Sequence, residues 1–225
     1  MMQRRASKSS RGRGLAVRVL AAMTLAAVLA TFAGPAQAQT KQWKFLALLD
    51  GKPIGTHTFT LTGTTDDGEL RSEAKFDVKV LFIPAYRYRH LAIERWHRGC
   101  VASITARTDD DGKISEVEGR SENGVMTIAT RNSRYTADGC VLSFAYWNPD
   151  MLRQTRLLNA QTGEYKAVSI AALADGRNDA PGREKRYRIA GPKQPIELRY
   201  SDSGEWIGLD TIVGSGRHLV YQLER

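Results

Sequence analysis

The sequence predicts an all-β protein, an antiparallel meander that closes into a barrel or a sandwich, with one short helical turn. Apolar and polar residues alternate along most of the chain after residue 39, as at Phe76, Val78 and Val80, and this period is typical of strands with one buried face. Turn dipeptides that accept positive φ and favour tight hairpins recur between these segments. They are Asp50-Gly51, Asp67-Gly68, Asp111-Gly112, Asn123-Gly124, Asp138-Gly139 and Asp175-Gly176.

The first 38 residues have the three parts of a secretory signal peptide. A basic start that includes Arg4 and Arg5 precedes an apolar run over 15–33, and Ala36-Gln37-Ala38 forms a small-x-small cleavage site. A membrane anchor is the alternative, but the run is short for a span and ends at Gly34-Pro35. We therefore expect cleavage near Ala38 and a periplasmic protein, exported by either the general or the twin-arginine route.

Cleavage would change the charge of the protein. The whole chain has a formal net charge of +9, but residues 1–38 hold six basic and no acidic residues. The mature chain would keep 27 basic and 24 acidic residues, a net charge of about +3, which does not favour nucleic acid as a partner. We expect residues 39–225 to form a single β-rich domain, with no transmembrane segment and no cofactor.

The chain has only two cysteines, Cys100 and Cys140. An even count in an oxidising compartment favours a structural disulfide. Two free thiols or a redox pair are the alternatives, although no C-x-x-C spacing supports a redox pair. Both cysteines lie in a Gly-Cys-Val triplet, which we expect to close a turn and open a strand in each case.

Two further segments interrupt the strand pattern. Over Asn148–Gln154, Asn148 is expected to cap one or two helical turns that begin at Pro149. The segment Asp175–Lys185 is polar, rich in Gly and Pro, and predicts a mobile loop.

Motifs for catalysis or metal binding are weak. His90 and His97 are seven residues apart, so a regular strand points them to opposite faces, and His57 and His218 are isolated in the sequence. The run Asp109–Asp111 before Gly112 lacks the spacing of an EF-hand and favours a hairpin turn. We predict no metal site and no catalytic residue. An enzyme of unknown reaction stays a lesser alternative, which mutual contact of buried His90 and Glu94 would favour.

The stretch LFIPAYRYRHLAIERWHRGC (81–100) concentrates aromatic and basic residues. Pro84 marks a corner or a new strand, and neither face after it is cleanly apolar or cleanly polar. One face carries Tyr86, Tyr88, His90, Ala92, Glu94 and Trp96, and the other carries Arg87, Arg89, Leu91, Ile93, Arg95 and His97. Two interpretations remain open: a cavity wall whose Arg and His meet an anionic head group, or an ordinary strand with solvated arginines.

The second aromatic segment, Leu142–Pro149, follows Cys140 and contains Phe144, Tyr146 and Trp147. It is interpreted either as a plug or mouth of a barrel, or as a cap on an exposed end of the core. The candidate ligand-binding residues from both segments are Tyr86, Arg87, Tyr88, Arg89, His90, Trp96, Tyr146 and Trp147.

Four segments carry a resemblance: LLDGKPIGTHTF, FDVKVLFIPAYRYRH, FAYWNPDMLRQTRLLNAQTGEY and GEWIGLD. They resemble an uncharacterised family of exported proteobacterial proteins, a domain of unknown function, over nearly all of residues 42–223. More loosely, the chain is similar to periplasmic lipid-carrier and lipocalin-like β-barrel proteins, which implies a cavity for an apolar ligand. The resemblance brings no catalytic residue.

These observations lead to two expected functions. The first is a non-enzymatic periplasmic binder of an apolar or amphipathic ligand such as a lipid. The alternative is an envelope interaction or assembly protein that uses the aromatic-basic stretch as a surface for a protein partner.

Overall fold

The computed structural model describes residues 39–80, 82–174, 184–214 and 216–224. The predicted signal peptide, the Asp175-Gly176 turn and most of the predicted loop after it lie outside these residues. The strands are β1 (Thr40–Leu49), β2 (Lys52–Gly63), β3 (Asp67–Val80), β4 (Ile83–His97), β5 (Cys100–Asp110), β6 (Lys113–Glu122), β7 (Val125–Thr130), β8 (Arg134–Asp138), β9 (Arg156–Leu158), β10 (Tyr165–Ala167), β11 (Ser169–Leu173), β12 (Lys185–Ala190), β13 (Ile196–Tyr200), β14 (Trp206–Val213) and β15 (Arg217–Leu223).

Thirteen of these strands form one antiparallel sheet in the order β11-β12-β13-β14-β15-β1-β2-β3-β4-β5-β6-β7-β8, and β9 and β10 form a separate hairpin. Neighbours in the sheet are also neighbours along the chain, except that β15 pairs with β1. The predicted all-β antiparallel meander is therefore confirmed. Among the described residues the sheet is not closed by hydrogen bonds, because β8 and β11 remain its edges.

Contacts between distant strands show that the sheet is rolled. Trp147 lies 5.8 Å from the ring of Trp43 in β1 and 5.1 Å from that of Trp96 in β4, measured between ring centroids. Its neighbour Tyr146 lies 5.3 Å from Trp206 in β14. One short segment therefore contacts the inner faces of strands that lie far apart in the sheet order.

The meander gives the rolled sheet two ends. We call the end that carries the β1–β2, β3–β4 and β5–β6 turns the open end, and the end that carries the β2–β3, β4–β5 and β6–β7 turns the disulfide end. Hairpin turns at Asp50-Gly51, Asp111-Gly112 and Asn123-Gly124 are confirmed, with Asp50, Asp111 and Asn123 at φ of 52°, 50° and 52°.

One predicted turn is wrong, since Asp67-Gly68 forms the first two residues of β3 and the chain reverses at 64–66. A Cβ on Gly68 would lie 2.4 Å from the carbonyl oxygen of Thr64. This glycine therefore serves close backbone approach within the hairpin. Asp138 is also the last residue of β8 and leads into a loop rather than a hairpin.

The core lies between the inner faces of the strands. Phe45 of β1 is fully buried, and its ring centroid lies 4.2 Å from that of Trp206 and 6.3 Å from that of Phe59. Aromatic residues thus form much of this core, and each buries roughly 150–250 Å².

The disulfide joins Cys100 and Cys140, whose Cα atoms are 5.3 Å apart, so the predicted pairing is confirmed. Cys100 opens β5 as expected. The expectation for Cys140 is wrong, because no strand begins there. Instead, residues 141–148 form single backbone hydrogen bonds to several neighbours, and we call them the crossing segment. One of these bonds runs from Val101 N to Val141 O, at 2.9 Å.

A short 3₁₀ helix, Pro149–Arg153, follows the crossing segment. The side chain of Asn148 accepts a hydrogen bond from Asp150 N at 3.0 Å, and Pro149 occupies the first helical position. The predicted helical turn and its cap are therefore confirmed. In the part of the chain that the structure describes, no helix has the length and apolar character to cross a membrane.

Candidate functional site

A cavity of about 740 Å³ lies between the inner faces of β2 to β5, the crossing segment and turns near the open end. Phe59, Leu70 and Ala92 supply apolar wall, and the crossing segment contributes Tyr146 and Trp147 on the opposite side. The position of Tyr146 and Trp147 on the cavity wall favours the interpretation of the second aromatic segment as a plug.

Strand β4 presents clean alternation to the two sides of the sheet. Tyr88, His90, Ala92, Glu94 and Trp96 are buried, while the residues between them are exposed or half-buried. Polar groups occur on the buried face because they find hydrogen-bond partners there, which is why the face looked mixed in the sequence.

The two arginines predicted to bind a ligand lie on the outer face. Arg87 pairs with Asp109 at 3.2 Å, and Arg89 makes two hydrogen bonds of 2.9 Å to Asp77. Arg87 and Arg89 therefore do not line this cavity, because the strand period directs their guanidinium groups to the other side of the sheet.

Five of the six other predicted residues fall into two groups. His90, Tyr146 and Trp147 line the cavity. Tyr88 and Trp96 are buried in the aromatic packing, and Tyr88 stacks on Phe76 with ring centroids 5.3 Å apart.

Tyr86 lies near the open end and is partly exposed. Its hydroxyl donates to Asp110 Oδ1 at 2.6 Å, and burial, followed by this bond to Asp110, raises the pKa of the phenol. Asp110 itself lines the cavity. This pair therefore contributes to the rim and not to the depth of the cavity.

A buried hydrogen-bond network around His57 was missed in the sequence. Its Nε2 lies 2.8 Å from Ser72 Oγ, and its Nδ1 lies 3.1 Å from Tyr221 Oη. His57 had seemed isolated because Tyr221 is 164 residues away along the chain. The sequence does contain one indication of this burial. His57, Phe59 and Leu61 are two residues apart, so a regular strand places all three on the same face.

His90 lies beside this network. Its Nδ1 is 2.8 Å from Thr108 Oγ1, and its ring centroid is 6.4 Å from that of His57. Burial lowers the pKa of His90 to about 4. Burial, together with the charge of His90, holds the pKa of His57 well below its usual value. Both imidazoles are therefore neutral at neutral pH.

Glu94 is the acidic group of the inner cavity. Its Oε2 accepts from Trp96 Nε1 at 3.1 Å and from Ser143 Oγ at 3.0 Å. Burial raises the pKa of Glu94 to about 7, although both hydrogen bonds act in the opposite direction. His90 and Glu94 line the same cavity, but His90 hydrogen-bonds to Thr108 and Glu94 to Trp96 and Ser143. The mutual contact that would favour an enzyme is not among these bonds.

The indole nitrogen of Trp147 is a buried donor. The residue is 6% exposed and lines the cavity, and its Nε1 has no hydrogen-bond partner among the described residues. Buried indole N–H groups are usually paired.

A second depression, about 800 Å³, lies on the outer side of β12 to β15 and contains several arginines. Glu197 hydrogen-bonds to Arg188 and Asp210 pairs with Arg199 at 3.3 Å. These acids offset the basic charge, so the depression is a weaker candidate for an anion site. Within the described residues, no three His, Cys, Asp or Glu side chains are grouped to hold a metal ion.

The rolled antiparallel sheet, with a cavity along its inner face, defines a β-barrel-like protein. The chain belongs to the family of the domain of unknown function DUF6134, whose model matches residues 45–224. The resemblance to an uncharacterised family is thereby confirmed.

Among solved structures, the chain is similar to a β-barrel-like protein of domain of unknown function DUF1849 from Brucella abortus. The two are 12% identical, the TM-score is 0.59, and the match covers 84% of this chain and 96% of that one. At this identity the likeness shows the fold alone. No curated protein matches this chain.

Proposed function

We propose that this is a non-enzymatic periplasmic protein that binds an apolar or amphipathic ligand, such as a lipid, in its internal cavity. The observation that carries the proposal is the cavity of about 740 Å³, since ligand sites of roughly 300–1,000 Å³ are typical for small molecules. The Cys100–Cys140 disulfide and the signal-peptide pattern of residues 1–38 support an exported protein.

The apolar part of the ligand would lie between two walls. Phe59 and Leu70 contribute one, and Tyr146 and Trp147 the other. Burial of apolar surface stabilises the complex by about 25 cal/mol per Å² removed from water. Arg87 and Arg89 take no part, because their side chains lie on the outer face.

Filling the cavity tests the proposal. Ala92→Phe places a ring where Ala92 lines the cavity, and Ile93→Phe makes a comparable change at the next residue of β4, on the outer side. We expect Ala92→Phe to abolish uptake of a fluorescent fatty acid and Ile93→Phe to retain it. Circular dichroism and thermal unfolding check that both variants fold.

Native mass spectrometry of the mature protein, purified from a periplasm, gives an independent readout. We expect a co-purifying lipid on the unchanged protein and none on Ala92→Phe. Equal uptake by the two variants, or an unchanged protein that is empty and takes up no probe, would contradict the proposal.

The second candidate function is interaction with a partner through the start of the aromatic-basic stretch. Further along the stretch, Tyr88 and Trp96 are buried and offer little contact area. The large apolar side chains that are exposed include Phe82 and Ile83, at 96% and 68%, in the β3–β4 hairpin at the open end. Lys79 on the same hairpin is exposed and basic. An exposed apolar turn beside a basic residue fits the interface of an anionic lipid bilayer.

Co-sedimentation with vesicles of anionic phospholipid tests this second candidate. We expect the unchanged protein to sediment with the vesicles and the double variant Phe82→Ser, Ile83→Ser to stay in the supernatant. Thr64→Ser, at the β2–β3 turn of the disulfide end, is the control. Equal sedimentation of all three proteins would overturn the candidate.

A further inference from the structure

The deep part of the cavity points to the chemistry of the ligand's head group. We propose that the cavity takes an amphipathic ligand with a cationic head group, a protonated alkyl amine, and that Glu94 Oε1 accepts a hydrogen bond from this group. The inference rests on the proposed ligand binding, and it adds the chemical class of the ligand and the position of its charge.

One carboxyl oxygen of Glu94 is open to the cavity. Trp96 Nε1 and Ser143 Oγ both donate to Oε2, so Oε1 has no hydrogen-bond partner among the described residues. Glu94 is 3% exposed, yet Oε1 is not one of the unpaired side-chain atoms that are sealed from solvent in this part of the chain. Because Glu94 lines the cavity, Oε1 is accessible from it.

Glu94 lies far from the open end. Asp110, at the β5–β6 turn of that end, is opposite Tyr88 in the pairing of β4 with β5. Tyr88 precedes Glu94 by six residues, which corresponds to about 20 Å along a strand. A ligand that reaches Oε1 from the open end therefore enters with its head group first and leaves its alkyl tail between the cavity walls.

The carboxylate form of Glu94 has no cation beside it. Burial raises the pKa of Glu94 to about 7, and its two hydrogen-bond donors are uncharged. The lysines that line the cavity, Lys166 of β10 and Lys193 of the β12–β13 turn, lie on other elements, and Lys166 pairs with Glu164 at 3.1 Å. A buried charge without a partner is costly, so a cation supplied by the ligand would stabilise the ionised carboxyl.

The other titratable groups of the cavity do not supply this cation. Burial lowers the pKa values of His57 and His90 and raises that of Tyr146, so all three are uncharged near neutral pH. Asp110 is acidic, lies at the rim and accepts a hydrogen bond from Tyr86 at 2.6 Å. An anionic head group beside Glu94 would therefore meet a like charge and no compensating one.

Aromatic side chains also favour a cation at this position. Trp96 donates to the Glu94 carboxyl, and the ring of Trp147 lies 5.1 Å from that of Trp96, between centroids. Aromatic faces attract ammonium groups, and an ammonium group has only donors to offer. An alcohol could also donate to Oε1, but it would leave the charge of the carboxylate uncompensated.

Ligands with the same tail and different head groups test the inference. We measure binding of decylamine and decanol to the mature protein by isothermal titration calorimetry at about pH 6 and about pH 8. Decylamine stays protonated at both, as a lysine side chain with a pKa of about 10.4 does. At the higher pH we expect decylamine to bind about tenfold or more tightly than decanol. Its affinity should fall about tenfold at the lower pH, because the ionised fraction of Glu94 falls by this factor across a pKa of about 7.

Glu94→Gln keeps the shape of the side chain and removes its charge. We expect it to bind decylamine about tenfold more weakly at the higher pH and to lose the pH dependence. Retained binding of decanol, together with an unchanged circular dichroism spectrum, would show that its cavity is intact. Glu118→Gln makes the same change at an exposed position of β6 and should bind both ligands as the unchanged protein does.

Three outcomes would overturn the inference. Equal binding of decylamine and decanol at the higher pH would remove the cationic head group while ligand binding itself stands. Loss of the preference on Asp110→Asn but not on Glu94→Gln would place the cation at the rim of the cavity. Failure of both ligands and of the fluorescent fatty acid to bind would overturn the proposed function together with this inference.

Discussion

At the scale of single residues, Glu94 is a carboxyl group buried in the cavity wall. The carboxyl is 3% exposed and lies among aromatic rings, with Trp96 Nε1 and Ser143 Oγ as its donors. Desolvation disfavours the charged form more than two hydrogen bonds favour it, so the pKa of Glu94 rises to about 7.

Glu94→Gln should therefore change how stability depends on pH. The pKa of Glu94 is raised on folding from 4.5 to about 7, so its stabilising contribution is full below about pH 4.5 and is lost as the pH rises through 7. Across this window we expect the unfolding free energy of the unchanged protein to fall by about 3 kcal/mol. The unfolding free energy of Glu94→Gln should not show this fall. Urea unfolding at pH 5 and pH 8 measures the difference.

Glu118→Gln, on an exposed position of β6, is the control for the removal of a carboxylate. It should follow the pH dependence of the unchanged protein. If Glu94→Gln did the same, Glu94 would already be ionised at the lower pH, and burial would not control its protonation.

At the scale of elements, the crossing segment depends on its attachments. The disulfide holds Cys140 beside the start of β5, and Val101 N and Leu158 N donate to the carbonyl oxygens of Val141 and Leu142 at 2.9 Å each. The segment is neither helix nor strand, so its backbone obtains hydrogen bonds from neighbours on both sides.

Replacing both cysteines should weaken this attachment. The disulfide closes a loop with a sequence separation of 40, and the chain-entropy estimate for such a loop is about 4 kcal/mol. We expect Cys100→Ser, Cys140→Ser to reduce the unfolding free energy by up to this amount and to weaken ligand uptake, because Tyr146 and Trp147 follow Cys140. Denaturant unfolding of the variant, and of the unchanged protein with dithiothreitol, measures the loss. An unchanged midpoint in both would show that the disulfide contributes no stability.

At the scale of the whole molecule, the sheet combines local hairpins with one long-range pairing. Strand β15 pairs with β1, with Phe45 opposite Leu223, and this pairing places the first and last of the described strands in the middle of the sheet. The edges are the short strands β8 and β11, of five residues each. Short edge strands expose few unpaired backbone groups.

Hydrogen exchange should follow this arrangement. We expect amides of β1, β2 and β15 to exchange slowest, because these strands are paired on both sides and carry buried residues such as Phe45 and Tyr221. Amides of β11, an edge strand with a mostly exposed pattern, should exchange first. Native-state exchange with mass-spectrometric or NMR detection tests this order, and equal protection of β11 and β1 would contradict it.

The local features of this protein were determined by the sequence alone. Alternation and Asp-Gly or Asn-Gly dipeptides predict strands and turns, because period and positive φ are properties of a few neighbouring residues. Asn148 and Pro149 predict the helical turn for the same reason. Two cysteines together with a signal-peptide pattern favour one disulfide, and the structure confirms this pair.

Only the tertiary structure decided which face of 86–97 is inner and what lies opposite it. The inward direction of His90 and Glu94, and the outward direction of the arginines, depend on how the sheet rolls. The contact of His57 with Tyr221 depends on the pairing of β15 with β1. The contact of Glu94 with Ser143 depends on the path of the crossing segment. These contacts join residues far apart along the chain, and a strand's period fixes its two faces but not which of them becomes the interior.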